Sequence, residues 1–383
     1  MAKFDFARFI DRLEGEPKPP EEFSPEEKEV LLKTGIDPEG RGRSGSFFMC
    51  DHRVSECTIK QEGLEVLPIR VALERYGLKD YFWKALEPDR DIFTKRVDQH
   101  LEGGYFIRAF RGARVTFPIQ ACLYISIDRL AQDVHNVVIA EEDSELHIIT
   151  GCTTSPHVRS GLHVGISEFF VKKGARLTFT MIHNWPEEMV VRPRTAILVE
   201  EGGMFVSNYI CLVPARDLQA YPTAILKGPG AVATFQSVLL GRPGSLMDLG
   251  SRVILEAEGT RAEIISRNVS TGGRIIARGH LVGEAPRVKG HLECRGLILS
   301  GEGIIHAIPE LEARAEDVEL SHEAAVGKIA KEELEYLMAR GLSEEEATSL
   351  IIKGFLTMEI KAVSYTHLRA HETSLHLVCR LLL

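Results

Sequence analysis

The sequence predicts a mainly β protein whose core is a solenoid, preceded by a mixed α/β segment and followed by a helical one. Two observations carry this. From about 106 to 320, short β-rich runs are broken by small glycine-containing turns, as in "FFVKKGARLTFT", "AILVEEGGMFVSN", "AILKGPGAVATF" and "VILEAEGTRAEII". The turn glycines Gly174, Gly202, Gly230 and Gly259 lie 28, 28 and 29 residues apart. A steady period of that length marks a repeated supersecondary unit. A strand, a charged glycine turn and a second strand make one coil, which buries its apolar face only by stacking on its neighbours. An antiparallel sandwich also repeats its turns, but every ~8–12 residues, so the solenoid fits better.

Residues 1–105 read as a mixed α/β domain. An amphipathic start gives way to a Pro- and Glu-rich stretch, "GEPKPPEEFSPEE". "SPEEKEVLLKTGI" then opens like a helix, with Ser24 as N-cap, Pro25 in the first helical position and Glu27 closing a capping box. "FFMCDHRVSECTIKQ" reads as two short strands around a turn, and "LPIRVALERYGL" and "DYFWKAL" read as helices. The repeat region, 106–322, is the solenoid core.

A helical domain follows over 323–363. "AKEELEYLMARG" puts Leu334, Leu337 and Met338 on one face and stops at Gly341. "SEEEATSLIIKGFL" opens with a second capping box, Ser343 with Glu346, and carries an apolar stripe of Ala347, Leu350, Ile351 and Phe355. Such a helical hairpin either packs on the solenoid or offers a docking surface. The last twenty residues, 364–383, hold three of the fourteen histidines and one acidic residue. They read as a non-native extension and are set aside, together with Cys379 and the His367/His371 pair.

Composition excludes several classes. A formal net charge of -9 argues against a nucleic-acid binder. No apolar run is long enough to span a membrane, and the N-terminus lacks a signal-peptide core, so a cytoplasmic location is expected. The chain has no GxxxxGK[ST] loop, no dinucleotide fingerprint and no GxSxG elbow. An intrinsic ATPase, dehydrogenase or α/β-hydrolase is therefore not expected.

The seven cysteines form no CxxC pair, so any metal chemistry must draw on residues far apart in sequence or on different chains. Cys122 and Cys211 sit in apolar runs and read as core. Cys152, in "IITGCTTSPHVRSG", enters a polar loop near His157, Arg159 and His163. It reads either as a small buried thiol or as a partly exposed one whose pKa neighbouring cations would lower. Cys294, in "VKGHLECRGLIL", is flanked by His291, Glu293 and Arg295. Thiolate and imidazole there suit iron or zinc, while a plain buried strand thiol is the simpler account. His322, in "ELSHEAAVGKI", is a candidate ligand or base at the end of the repeat region, or a polar cap on its last strand.

Four ordered segments carry a resemblance: "GGYFIR" at 103–108, "TGCTTS" at 150–155, "IHNWPEEMVVRPR" at 182–194 and, most specific, "ELSHEAAVGKIAKEELEYLMARGLSEEEA" at 319–347. Over about residues 40–360 the chain resembles the SufB/SufD family of iron–sulfur cluster assembly proteins. The resemblance implies a right-handed parallel β-helix between an N-terminal domain and C-terminal helices. It implies pairing through the β-helices, as a SufB–SufD heterodimer or a homodimer. The C-terminal helices would dock the ABC-type ATPase SufC, and a sulfur donor protein would deliver sulfur. Flavin can join such complexes. Matched by motif, Cys294 is the strand cysteine, His322 the signature histidine 28 positions later and Glu323 the acidic residue after it, together a set for a transient iron–sulfur cluster. Cys152 matches the sulfur-accepting cysteine and Trp185 a residue of the sulfur path, while His183 stands where SufB often has glutamine.

The function these residues imply is a cluster scaffold with no turnover of its own. Two other readings stay open. One is a SufD-like structural partner without a cluster. The other is a β-solenoid enzyme acting on polysaccharide, for which the Glu-rich turns at 141–145 and 200–201 would supply paired carboxylates, although aromatics make up only 7% of the chain.

Overall fold

The computed structural model describes residues 4–11, 19–213 and 215–356. Its centre is a β-solenoid of about 8 turns made of two facing sheets. One sheet stacks, all in parallel, Gly45–Cys50, Ile119–Ile125, Glu145–Thr154, Arg176–Asn184, Met204–Val213, Val232–Gly241, Arg261–Ser270, Lys289–Ile298 and Glu319–Gly327. The facing sheet alternates with it along the chain, through strands such as Ala131–Ala140, Ser160–Val171, Leu246–Leu255, Arg274–Gly283 and Ile304–Ala313. Apolar residues of inward parity from both sheets meet in one continuous core, from Phe47 to Cys294.

The repeat is the one expected, and its cause is visible in the turns. Successive strands starting at Arg176, Met204, Val232, Arg261 and Lys289 are 28, 28, 29 and 28 residues apart. Gly174, Gly202, Gly230 and Gly259 each stand two residues before such a strand, with φ between +61° and +69°. A left-handed residue there reverses the chain into the next rung. The same place is taken by Asp143, Arg287 and Asp317, also at positive φ, before the strands Glu145–Thr154, Lys289–Ile298 and Glu319–Gly327.

Both divisions drawn around the core shift. Gly45–Cys50, buried along its whole length, pairs in parallel with Ile119–Ile125, and Leu64–Pro68 enters the facing sheet through Tyr105–Ala109. The first rungs therefore draw on both sides of the 105/106 division. At the other end the last strand runs on to Gly327, so the 322/323 division falls inside it.

The expected helix at Pro25–Lys33 forms with its capping box, and a helix also forms at Ile69–Tyr76, without one. "DYFWKAL" does not form a helix; residues 80–86 are turns. The buried Glu168 carboxylate accepts hydrogen bonds from the backbone N–H groups of Trp83, Lys84, Ala85 and Leu86 at 2.6–3.1 Å. These groups find a side-chain acceptor where a helix would use its own carbonyls.

The C-terminal helices are Lys331–Met338 and Glu344–Leu356, joined through Gly341 at φ +98°, with the Ser343–Glu346 capping contacts in place. Ile329, Ile352, Phe355 and Leu356 pack on an apolar strip formed by Ile182, Ile210, Val238, Val269 and neighbouring residues. Leu350, assigned to the apolar stripe, faces out instead, and the packed edge is shifted toward Leu356. The tail at 364–383 lies outside the described residues. Among the described residues no helix is long and apolar enough to cross a membrane.

Candidate functional site

Strand register places the C-terminal candidates. Lys289–Ile298 pairs in parallel with Glu319–Gly327, so that Leu292 faces His322, Glu293 faces Glu323 and Cys294 faces Ala324. Side chains alternate along a strand. Leu292 and Cys294 are buried on the inward parity, and His322 shares it, exposed because its strand is the last rung. Cys294 and His322 are thus on adjacent strands, two residues apart along the strand direction.

Glu323 does not join them. It lies on the outward parity, where Arg295 is 3.2 Å away. Glu293 and His291 face outward too. Glu293 holds Arg267 at 2.8 Å and Arg295 at 2.6 Å, and His291 Nδ1 lies 2.9 Å from Ser321 Oγ. Cys294 Sγ accepts a hydrogen bond from Asn268 Nδ2 at 3.6 Å. Burial raises the pKa of its thiol, partly offset by Ser266 and Arg267. Among the described residues, no three His, Cys, Asp or Glu side chains gather as a metal-binding group.

Of the two readings of Cys152, the buried thiol is the one the structure has. It is fully buried, and desolvation pushes its pKa far up. His157 and Arg159 are exposed on the following loop, and only His163 turns into the interior. The in-register neighbour of Cys152 is His183 on one side and Leu123 on the other. His183 Nδ1 is 2.8 Å from the Tyr209 hydroxyl. Trp185 is buried, with its ring centroid 5.6 Å from that of His183 and 5.1 Å from that of His163. His163 Nδ1 in turn lies 3.0 Å from Gln132 Oε1. Burial lowers the pKa of His163 to about 3 and takes His183 well below its usual value, so both rings are neutral.

Between these two regions the interior is not filled. A cavity of about 70 Å³ is lined by Met181, Tyr209, Ser237, Ser266 and Asn268 from one sheet and by Thr195, Ser251 and others from the facing sheet. Tyr209, Ser237, Ser266 and Cys294 occupy one register column on four successive rungs. With His183 linking Cys152 to Tyr209, every rung from Cys152 to Cys294 places a polar side chain of inward parity in the lumen.

Three of the carboxylates that a polysaccharide enzyme would use are ion-paired. Glu141 pairs with Arg108 at 2.8 Å, Glu200 with Lys172 at 2.9 Å and Glu201 with Lys173 at 2.8 Å. These are ladder contacts between stacked turns.

Residues 124–355 match the family model described as "SUF system FeS cluster assembly, SufBD core domain". An iron-sulfur cluster assembly SufBD family protein of Archaeoglobus fulgidus is 55% identical over 339 residues, covering 88% of this chain and 91% of that protein. One of Methanothermobacter thermautotrophicus is 51% identical over 365 residues, covering 93% and 89%. The iron-sulfur cluster assembly protein SufB of Bacillus subtilis is 31% identical over 283 residues, covering 73% of this chain and 60% of that protein.

The chain belongs to the SufBD family.

Within this SufBD chain, sequence reasoning named Cys152, Trp185, Cys294 and His322 but not Tyr209, Ser237, Ser266 or Asn268. The signal was present in the repeat. Stepping back from Cys294 by 28, 29 and 28 residues reaches Ser266, Ser237 and Tyr209 in turn.

Proposed function

We propose that this chain is a scaffold for iron–sulfur cluster assembly, without turnover of its own. It takes sulfur at Cys152, passes it through the solenoid interior to Cys294, and holds the nascent cluster as cargo at the last rung. The observation that carries this reading is the cavity between Met181 and the pair Ser266 and Asn268. It leaves one rung to be crossed at each end of a separation of five rungs, about 24 Å at the usual strand spacing. Its volume admits several water-sized species, and its polar wall column suits a small sulfur species better than a sugar.

Cys294 and His322 supply soft thiolate and imidazole from one chain. A second chain, SufB/SufD-like or another copy, completes the coordination. In support, among the described residues Glu319–Gly327 is the last strand of its sheet, and its free edge is a template for association. Few protein ligands per chain make a labile cluster, suited to transfer. The C-terminal hairpin is the docking surface for a SufC-type ATPase. Its inner edge is packed, while Tyr336, Met338 and Leu350 remain 57%, 42% and 51% exposed.

The deciding experiment compares sulfur sources. Cys152→Ser should load iron and sulfide near the parent level from free iron and sulfide, and fail when sulfur comes from a cysteine desulfurase through its carrier protein. Equal loading of parent and variant by the enzymatic route would remove Cys152 from the path.

A further inference from the structure

Among the described residues, one nitrogen of His183, which stands opposite Cys152, and one of its neighbour Trp185 have no partner. His183 Nε2 and Trp185 Nε1 are buried without a hydrogen bond, in side chains only 2% and 1% exposed. Both residues are inward-facing and two positions apart, and His183 stands directly opposite Cys152 in register. An indole nitrogen can only donate. A neutral imidazole donates from one nitrogen and accepts at the other, and Tyr209 lies 2.8 Å from Nδ1. With the tyrosine hydroxyl donating to Nδ1, Nε2 carries the proton. The group then presents two buried donors and no acceptor, and buried polar groups without partners are rare because leaving one unmade is costly. The Cys152 thiol is only a weak acceptor, and burial keeps it protonated.

We propose that His183 Nε2 and Trp185 Nε1 form a binding site for the outer sulfur of a persulfide on Cys152, with Tyr209 fixing the imidazole tautomer. The inference rests on the reading of Cys152 as sulfur acceptor. A persulfide is more acidic than its parent thiol, so its outer sulfur is an anionic acceptor. It projects one S–S bond, about 2.05 Å, beyond Sγ. Hydrogen bonds to such an anion are the strong kind, and both donors are buried. Trp185 packs against the rings of both His163 and His183, and Gln132 anchors the first of these.

The loading step balances without an outside oxidant. Cys152 gives up its proton as its sulfur attacks the outer sulfur of a donor persulfide. A new S–S bond forms on Sγ as the donor's S–S bond breaks. The donor departs as a thiolate and takes up the proton that Cys152 released. Sulfur moves at the zero-valent level throughout. The site stabilises the product and slows loss of the stored sulfur until it is handed on.

The test uses the full chain, loaded anaerobically with inorganic polysulfide. The persulfide at Cys152 is followed over time by alkylation and mass spectrometry. Loss of one donor, in His183→Leu or Trp185→Phe, should speed its decay by about tenfold or more, the worth of a hydrogen bond to a charged group. His183→Gln retains an N–H and should decay near the parent rate. Tyr209→Phe frees the tautomer and should fall between. Melting temperatures report folding, and if His183→Leu fails to fold, Trp185→Phe decides. Equal decay in folded variants would overturn the proposal, since a buried water would then satisfy the two nitrogens. If the parent takes no sulfur at Cys152, both the acceptor reading and this inference fall; equal decay removes only the inference.

Discussion

His322 faces Leu292 across the last pair of strands, which sets it on the inward parity of Cys294, while Glu323 beside it turns out to Arg295. The alternation of a β-strand thus divides two consecutive residues of one motif between two environments. Thiolate is the strongest iron ligand available here and must be deprotonated to bind. Cys294→Ser should therefore abolish most reconstituted cluster absorbance. His322→Ala should leave a weaker, more oxygen-sensitive chromophore, and Glu323→Gln should load near the parent level. Iron and sulfide per chain measure all three. A Glu323→Gln variant as empty as Cys294→Ser would show that the outward carboxylate is drawn into the site.

Stability should fall on acidification. His163, with a pKa near 3, and His183, lower still, are held neutral by burial. In the unfolded chain both return to the ordinary histidine value of about 6.5. Their folded values are depressed, so the unfolded state binds more protons below that pH and stability rises with pH across the window. Each such group contributes a slope of up to about 1.4 kcal/mol per pH unit. Urea midpoints between pH 7.5 and pH 5 should therefore drop. His163→Gln should lower stability at pH 7.5 through lost ring packing, yet flatten the dependence. An unchanged slope in that variant would show that His163 does not drive it.

The C-terminal hairpin calls for surface changes in place of truncation. Cutting at Ile329 would uncover Ile182, Ile210, Val238 and Val269, which the second helix covers. Loss of ATPase binding would then be confounded with loss of packing. Tyr336→Ala and Leu350→Glu alter exposed side chains only, and changes at such sites usually move stability by about ±0.5 kcal/mol or less. They should reduce co-purification of a SufC-type ATPase with the melting temperature preserved. Full retention by the double variant would remove the hairpin from the contact.

The solenoid was legible because glycine is the cheapest residue at a left-handed turn, and four coils in a row use it. The flanking coils were harder to see because Asp143, Arg287 and Asp317 adopt the same conformation. At those positions the turn chemistry changes while the backbone does not. "DYFWKAL" misled for another reason. Its local pattern is helical, but the acceptor for its backbone, Glu168, lies about eighty residues on and leaves no local trace. Site residues were legible where a motif named them. Their environment was not, because Cys152 is closed off by rungs that stack above and below it.

"GGYFIR" makes a prediction about folding. Gly104 has φ +127°, a conformation open to glycine and strained for other residues, and a Cβ there would stand 2.1 Å from the carbonyl oxygen of His135. The obstacle is backbone of the strand Ala131–Ala140, which cannot swing aside as a side chain can. The Gly104 carbonyl also accepts the hydrogen bond of Ile69 N at 2.9 Å, and Gly103 O accepts that of His135 N at 2.9 Å. Movement to relieve the clash would therefore break contacts on both sides. Gly104→Ala should cost at least about 1–3 kcal/mol from the conformation alone, and more from the clash. Gly112, also at positive φ but with open space around its Cβ position, is the control. Gly112→Ala should pay the conformational cost only. Denaturation midpoints of the two variants measure the difference, and equal losses would show that the approach of His135 relaxes.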